Sequence, residues 1–112
     1  MDIVQLGKTD LKVSRLGVGL VEIGLQLTEG DKNQAYNVLN TALDGGINFF
    51  DTAEIYPIYP KKETQGNSEK IIGKWIKNKK NRDKIIIATK IASGHPKGIG
   101  ATELAWIRKG GK

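Results

Sequence analysis

The sequence predicts an α/β fold in which parallel strands lie in one layer with helices packed beside them. Three observations carry that prediction. Ala35, Val38, Leu39, Ala42 and Leu43 follow the i, i+3, i+4, i+7, i+8 spacing of one buried helix face. The segment from Lys84 to Thr89 is a nearly continuous apolar run, as expected of a parallel strand covered on both sides. A hairpin followed by strands alternating with helices, βαβαβ, favours a parallel β/α architecture.

Each element has a local reason. Asp2 to Leu6 reads as extended, Gly7-Lys8-Thr9-Asp10 as a turn, and Leu11 to Val13 as the returning strand, because Gly7 and Asp10 supply turn chemistry between two short apolar runs. Arg15 to Gly19 reads as a short buried strand, and glycines at 17, 19 and 24 mark a loop where backbone bends or approaches something closely. Asp31 to Asp44 is a helix with Asp31 as its N-cap, ended by Gly45-Gly46. Ile47 to Phe50 is a strand with Asp51 at its carboxyl end. Thr52 to Gly66 is a long loop. Ser68 to Lys80 is a second helix, capped by Asn67 or Ser68, with Glu69 complementing its dipole. Asn81-Arg82-Asp83 turns into the strand of 84–89, which Lys90 follows. Ser93 to Gly100 reads as loop, Ala101 to Arg108 as one or two helical turns, and Lys109 to Lys112 as a frayed end.

A chain of 112 residues makes one domain, 1–112, with a modest core. It has no cysteine, which excludes disulfide and thiolate chemistry and suits a cytoplasmic protein. No apolar run reaches the length of a membrane span, so no membrane partner is expected. The net charge of +6 gathers between Lys70 and Lys84, but there lysines interleave with Ile71, Ile72, Trp75 and Ile76. That pattern reads as the solvated face of an amphipathic helix rather than a nucleic-acid surface. Gly17-Val18-Gly19 lacks the third glycine of a dinucleotide fingerprint. The single histidine, His95, sits in a loop before a proline, and no cluster around it suggests a metal.

The chemistry gathers at Asp51, Tyr56 and Lys90. Right-handed crossovers bring the carboxyl ends of parallel strands to one side, where such folds bind their ligands. A free phenol has a pKa of about 10. To act as a general acid it needs a nearby cation to stabilise the phenolate, which Lys90 could provide. Asp51 could in turn supply the counter-charge that a partly buried lysine needs. A structural Asp–Lys pair beside an ordinary loop tyrosine accounts for the same residues, and spacing alone leaves both readings open.

A resemblance bears on that choice. The run from Leu6 to Gly19, LGKTDLKVSRLGVG, resembles the opening of aldo-keto reductases, and GINFFDTAEIY from Gly46 to Tyr56 resembles their second barrel strand with its catalytic loop. Ser68 to Gly73 and Arg82 to Lys90 continue the likeness. Tyr56-Pro57 with the loop Glu63-Thr64-Gln65-Gly66 is similar to the Tas-like branch, beside the potassium-channel β-subunit-like one. The resemblance implies a (β/α)8 TIM barrel that reduces aldehydes or ketones with NADPH. It implies Tyr56 as proton donor, Lys90 and Asp51 as its tuners, and Asp51 near the nicotinamide ribose. Leu20 and Val21 stand at first-loop positions that touch the cofactor in the family, with Leu20 in place of the usual threonine. Spacing in the family selects Tyr56 over Tyr59.

A whole barrel takes about 250 residues. The chain is therefore expected to be the N-terminal portion of one, the hairpin and about three β/α units, without the family's fourth-strand histidine or the later basic loop that grips the adenosine phosphate. Alone it is expected to be inactive, with Trp75 and Ile87 partly exposed on an open sheet. The rival expectation is a non-catalytic module that pairs with another chain, or with itself, through bare sheet edges.

Overall fold

The computed structural model describes residues 1–23, 29–58 and 61–91, and of residues 29–30 the backbone alone. Gly24, Tyr59, His95 and the expected segments 93–100, 101–108 and 109–112 lie outside the described residues. The chain opens with a hairpin, β1 (Ile3–Gln5) and β2 (Lys12–Ser14). They pair antiparallel with Val4 opposite Val13. Gly7 takes φ +55°, and Thr9 Oγ1 donates to the Leu6 carbonyl at 2.6 Å, so turn chemistry closes the loop as the sequence indicates.

Then follow β3 (Val18–Gly19), α1 (Glu29–Asp44), β4 (Phe49–Asp51), α2 (Asn67–Lys79), a 3₁₀ turn (Arg82–Lys84) and β5 (Ile86–Ala88). The last three strands form a parallel sheet in the order β3-β4-β5. Its register sets Gly19 beside Asp51 and Asp51 beside Ala88, so three carboxyl ends share one rim. The paired ladders are only two or three residues long, shorter than the expected runs 15–19 and 84–89. Gly17 marks a close approach, since a Cβ there would sit 3.3 Å from the Phe49 ring and carbonyl.

Leu20, Leu39, Phe50, Ile71, Ile72, Trp75 and Ile85 make the core between the sheet and the two helices. The Phe50 and Trp75 rings meet at 5.6 Å between centres, tilted by 58°. This corrects the expectation that Trp75 is partly exposed, because only 1% of its surface is. Helices α1 and α2 both contribute to this core and touch each other, and Trp75 Nε1 donates to Asn40 Oδ1 at 2.7 Å. Ile87, on the sheet itself, is half-buried as expected.

Three local expectations shift. Val38 is 51% exposed rather than on the buried face. Tyr36 and Leu43 pack on the core, so at about 100° per residue the contact stripe centres near Leu39 and leaves Val38 on its flank. Helix α1 begins at Glu29, which puts Asp31 in its first turn rather than at the cap. Helix α2 is preceded by Gly66 in the left-handed region, φ +88°, and no side chain caps it. Among the described residues no helix is long and apolar enough to cross a membrane.

Candidate active site

Strand ends place the first two site residues. Asp51 closes β4, and Lys90 stands just beyond β5. Beyond β4 the chain keeps to the same edge, for Thr52 N–H donates to the Ala88 carbonyl at 2.8 Å and Glu54 N–H to the Lys90 carbonyl at 3.0 Å. These bonds bring the loop, and Tyr56 with it, over the rim. Lys90 Nζ donates to Asp51 Oδ2 at 2.8 Å and to the Thr52 carbonyl at 2.9 Å. The same ammonium lies 5.1 Å from the centre of the Tyr56 ring, within cation–π range. The three residues singled out in the sequence are thus brought together.

The electrostatics follow from those contacts. The hydrogen bond that Lys90 donates to Asp51 raises the Lys90 pKa above its ordinary value, aided by the Asp51 charge and by Tyr56 and opposed by partial burial. Lys90 accordingly stays an ammonium. The pair is no buried ion couple, since its side chains are 52% and 46% exposed and remain open to a ligand.

The first loop divides its two candidate residues. Val21 is exposed at the rim, and its carbonyl accepts from Ile58 N–H at 2.9 Å. Leu20 has no exposed surface: its side chain belongs to the core, while its N–H donates to the Asp51 carbonyl at 2.8 Å. Of the two first-loop candidates, Val21 and not Leu20 therefore offers side-chain surface at the rim. A leucine in the place of the usual threonine turns into the apolar layer, where it supports the strand end instead.

Sequence reasoning missed the residues that hold this rim. Ser68, fully buried at the start of α2, donates from Oγ to the Leu20 carbonyl at 2.8 Å and lies against the Ile23 carbonyl. Gln65, also buried, donates from Nε2 to the Glu54 carbonyl at 2.9 Å. Glu69 Oε2 accepts from Thr89 Oγ1 at 2.9 Å, beside Lys90. Ser68 read as a helix cap and Glu69 as a dipole partner, and the motif Glu63-Thr64-Gln65-Gly66 was the one signal pointing at Gln65.

The sequence model of the aldo/keto reductase family matches this chain over residues 15–109, the stretch that carries the three parallel strands with an acid, an ammonium and a phenol at their carboxyl rim. The chain belongs to the aldo/keto reductase family. It is similar to the protein tas of Escherichia coli (strain K12), 42% identical over 84 residues, which cover 75% of this chain and 23% of that protein. A probable voltage-gated potassium channel subunit beta of Arabidopsis thaliana is 40% identical over 98 residues, 86% of this chain and 27% of the relative. Among solved structures, an aldo-keto reductase, AKR11C1 from Bacillus halodurans, described as a holo form, superposes with a TM-score of 0.66 at 34% identity, covering 88% of this chain and 28% of that one. The chain therefore spans about a quarter of the length of the curated relatives it matches. Its hairpin and three-stranded layer have the fold of part of a (β/α)8 barrel.

Proposed function

We propose that this chain supplies the proton-donating corner of an NADPH-dependent reductase of aldehydes and ketones. The observation that carries the reading is the Lys90 ammonium, held on Asp51 at 2.8 Å and set 5.1 Å from the Tyr56 ring at the carboxyl rim of parallel strands. In this reading Tyr56 gives its hydroxyl proton to the carbonyl oxygen of a small-molecule substrate. Negative charge then develops on the phenolic oxygen, and the adjacent ammonium stabilises it in a partly desolvated site. Asp51 holds the ammonium in place, and the second Lys90 bond, to the Thr52 carbonyl, fixes its direction.

NADPH supplies the hydride when bound. The rim fits the nicotinamide end of such a cofactor in three respects. The space where a Cβ of Gly19 would point is open, Val21 is exposed, and the Asp51 carboxylate is accessible to ribose hydroxyls. Family membership supports a nicotinamide cofactor, and the resemblance to NADPH-using members supports the phosphorylated form. The proposed compartment is the cytoplasm, where reduced nicotinamide cofactor is supplied.

The 112 residues alone are proposed to be inactive, because one rim segment offers little of the surface that must hold cofactor and carbonyl together. The test joins this chain to the remainder of the barrel of the Escherichia coli tas protein and follows aldehyde-dependent oxidation of NADPH. Activity in the joined protein that Tyr56→Phe abolishes, with none in the chain alone, is the expected result. Full activity in the Tyr56→Phe protein would overturn the assignment.

A second reading is a module that pairs with another copy. It is favoured by β3 and β5, whose outer edges face no further strand among the described residues, and by Ile91, which is 87% exposed. A stable oligomer in size-exclusion chromatography that fails to bind NADPH supports it; a monomer removes it.

A further inference from the structure

We propose that Gln65 and Gly66 are positioning residues for Tyr56, a clamp that sets where the phenol stands above the rim. The inference rests on the reading of Tyr56 as proton donor and adds the device that aims it.

The Tyr56 segment is fastened from two sides. On the sheet side, Glu54 N–H donates to the Lys90 carbonyl at 3.0 Å. On the helix side, the Glu54 carbonyl accepts from Gln65 Nε2 at 2.9 Å, and the Tyr56 carbonyl accepts from Gly66 N–H at 3.0 Å. Ser68 N–H faces the same Tyr56 oxygen at 3.5 Å. Residues 54 and 56 are therefore both held by the turn that starts α2, one through a side chain and one through the backbone.

Each clamp residue suits its place. Gln65 is 3% exposed, so its bond to the Glu54 carbonyl competes little with water. Its own N–H donates to the Lys61 carbonyl at 2.8 Å, which fixes its backbone. Gly66 has φ +88°, a conformation that side-chain-bearing residues rarely adopt. That conformation turns its N–H onto Tyr56 while α2 starts from the next residue. Helix α2 is itself locked to the core through Trp75 and to the first loop through Ser68. The clamp thus connects the rigid part of the layer to the phenol, and a long loop that would otherwise let Tyr56 wander delivers it to Lys90.

Two measurements test this, the first independent of any activity. In the full chain, Gln65→Glu keeps the size of the side chain and removes its amide donor, and Gln65→Met removes the polar group. Nuclear Overhauser contacts between the Tyr56 ring and the Lys90 side chain are expected to be lost in both variants, while the amide spectrum of β3, β4 and β5 is kept. Retained contacts overturn the clamp. Loss of the whole folded spectrum in both variants also overturns it, since Gln65 would then hold the domain rather than the tyrosine.

The second measurement uses the joined barrel. Gln65→Met is expected to lower kcat by 10-fold or more, up to about 10²-fold, with the KM for NADPH unchanged. It is expected to add nothing when Tyr56→Phe is already present, because a residue acting through Tyr56 is silent without it. Additive losses overturn the proposal. If Tyr56→Phe leaves activity intact, the proton-donor reading fails, and the Overhauser contacts still decide the clamp.

Discussion

The hairpin and the carboxyl rim are built by opposite means. In the hairpin the turn bonds are local: Gln5 Nε2 to the Thr9 carbonyl, Thr9 Oγ1 to the Leu6 carbonyl, and a two-strand ladder that pairs Ile3–Gln5 with Lys12–Ser14. Its long-range fastening is at Asn48, whose Oδ1 accepts from Ser14 N–H at 2.7 Å, whose backbone N–H donates to Ser14 Oγ at 3.1 Å, and whose Nδ2 donates to the Lys12 carbonyl at 3.1 Å. At the rim, bonds join residues far apart in sequence, such as Lys90 to Asp51, Ser68 to Leu20 and Gln65 to Glu54. A local device tolerates substitution because its neighbours are always near. A site assembled from distant segments depends on the core beneath it, so damage to the core should reach the rim before the hairpin turn.

The sharpest division between the two regions is catalytic. In the joined barrel, Tyr56→Phe is expected to lower kcat by roughly 10²- to 10⁴-fold, the usual worth of a general acid. Thermal stability should barely change. Leu11→Ala, at an exposed hairpin position, should leave kcat as it was. Steady-state kinetics beside thermal melts of both variants checks this, and a Tyr56→Phe protein with undiminished kcat would erase the distinction.

Next in size is the core under the rim. Trp75→Ala removes a buried ring that packs on Phe50, and it is expected to cost about 3–5 kcal/mol in urea unfolding. Hydrogen exchange would show rim amides such as Glu54 and Gly66 losing protection first. Equal loss in the hairpin turn would mean that the two regions unfold as one unit.

The same division explains how much could be read from sequence. The hairpin was legible because its turn chemistry is local, Gly7 at φ +55° and the Thr9 hydroxyl bonded to the Leu6 carbonyl three residues back. Asp51 and Lys90 were legible because parallel strands must end on one side, so that residues closing β4 and following β5 become neighbours. Trp75 was misjudged because the helix period shows that α2 has an apolar face but not which side of the sheet receives it. Leu20 could not be assigned from its place after Gly19, since whether its side chain turns to the rim or the core is set by packing. Gln65 and Ser68 stayed hidden for a different reason. Their partners are main-chain carbonyls, 11 and 48 residues away, and every residue type presents the same carbonyl.

A smaller effect is expected where the hairpin is fastened to Asn48. Asn48→Ala removes the two side-chain bonds and leaves the N–H of Ser14, a residue only 2% exposed, without its acceptor. The cost is expected to be about 1–3 kcal/mol, with exchange protection lost in β1 and β2 rather than at the rim. Protection lost at Glu54 and Gly66 instead would show that the hairpin supports the site.

The smallest effect is the pH dependence of the rim pair. The folded-state pKa of Lys90 lies above its ordinary 10.5, so the stability it contributes is fully present below 10.5 and is lost as pH rises through the folded value. Both partners are about half exposed, and solvent screening limits the contribution to about 1 kcal/mol or less. Urea unfolding of the chain and of Lys90→Met should therefore differ slightly at pH 8 and converge at the alkaline end. The hairpin's ion pair, Arg15 with Asp2 at 3.4 Å, is still more exposed, and Asp2→Asn serves as the control. An advantage of the chain over Lys90→Met that persisted undiminished at high pH would mean that the side chain stabilises by packing its methylenes and not by its charge, and the electrostatic account of the rim would have to be abandoned.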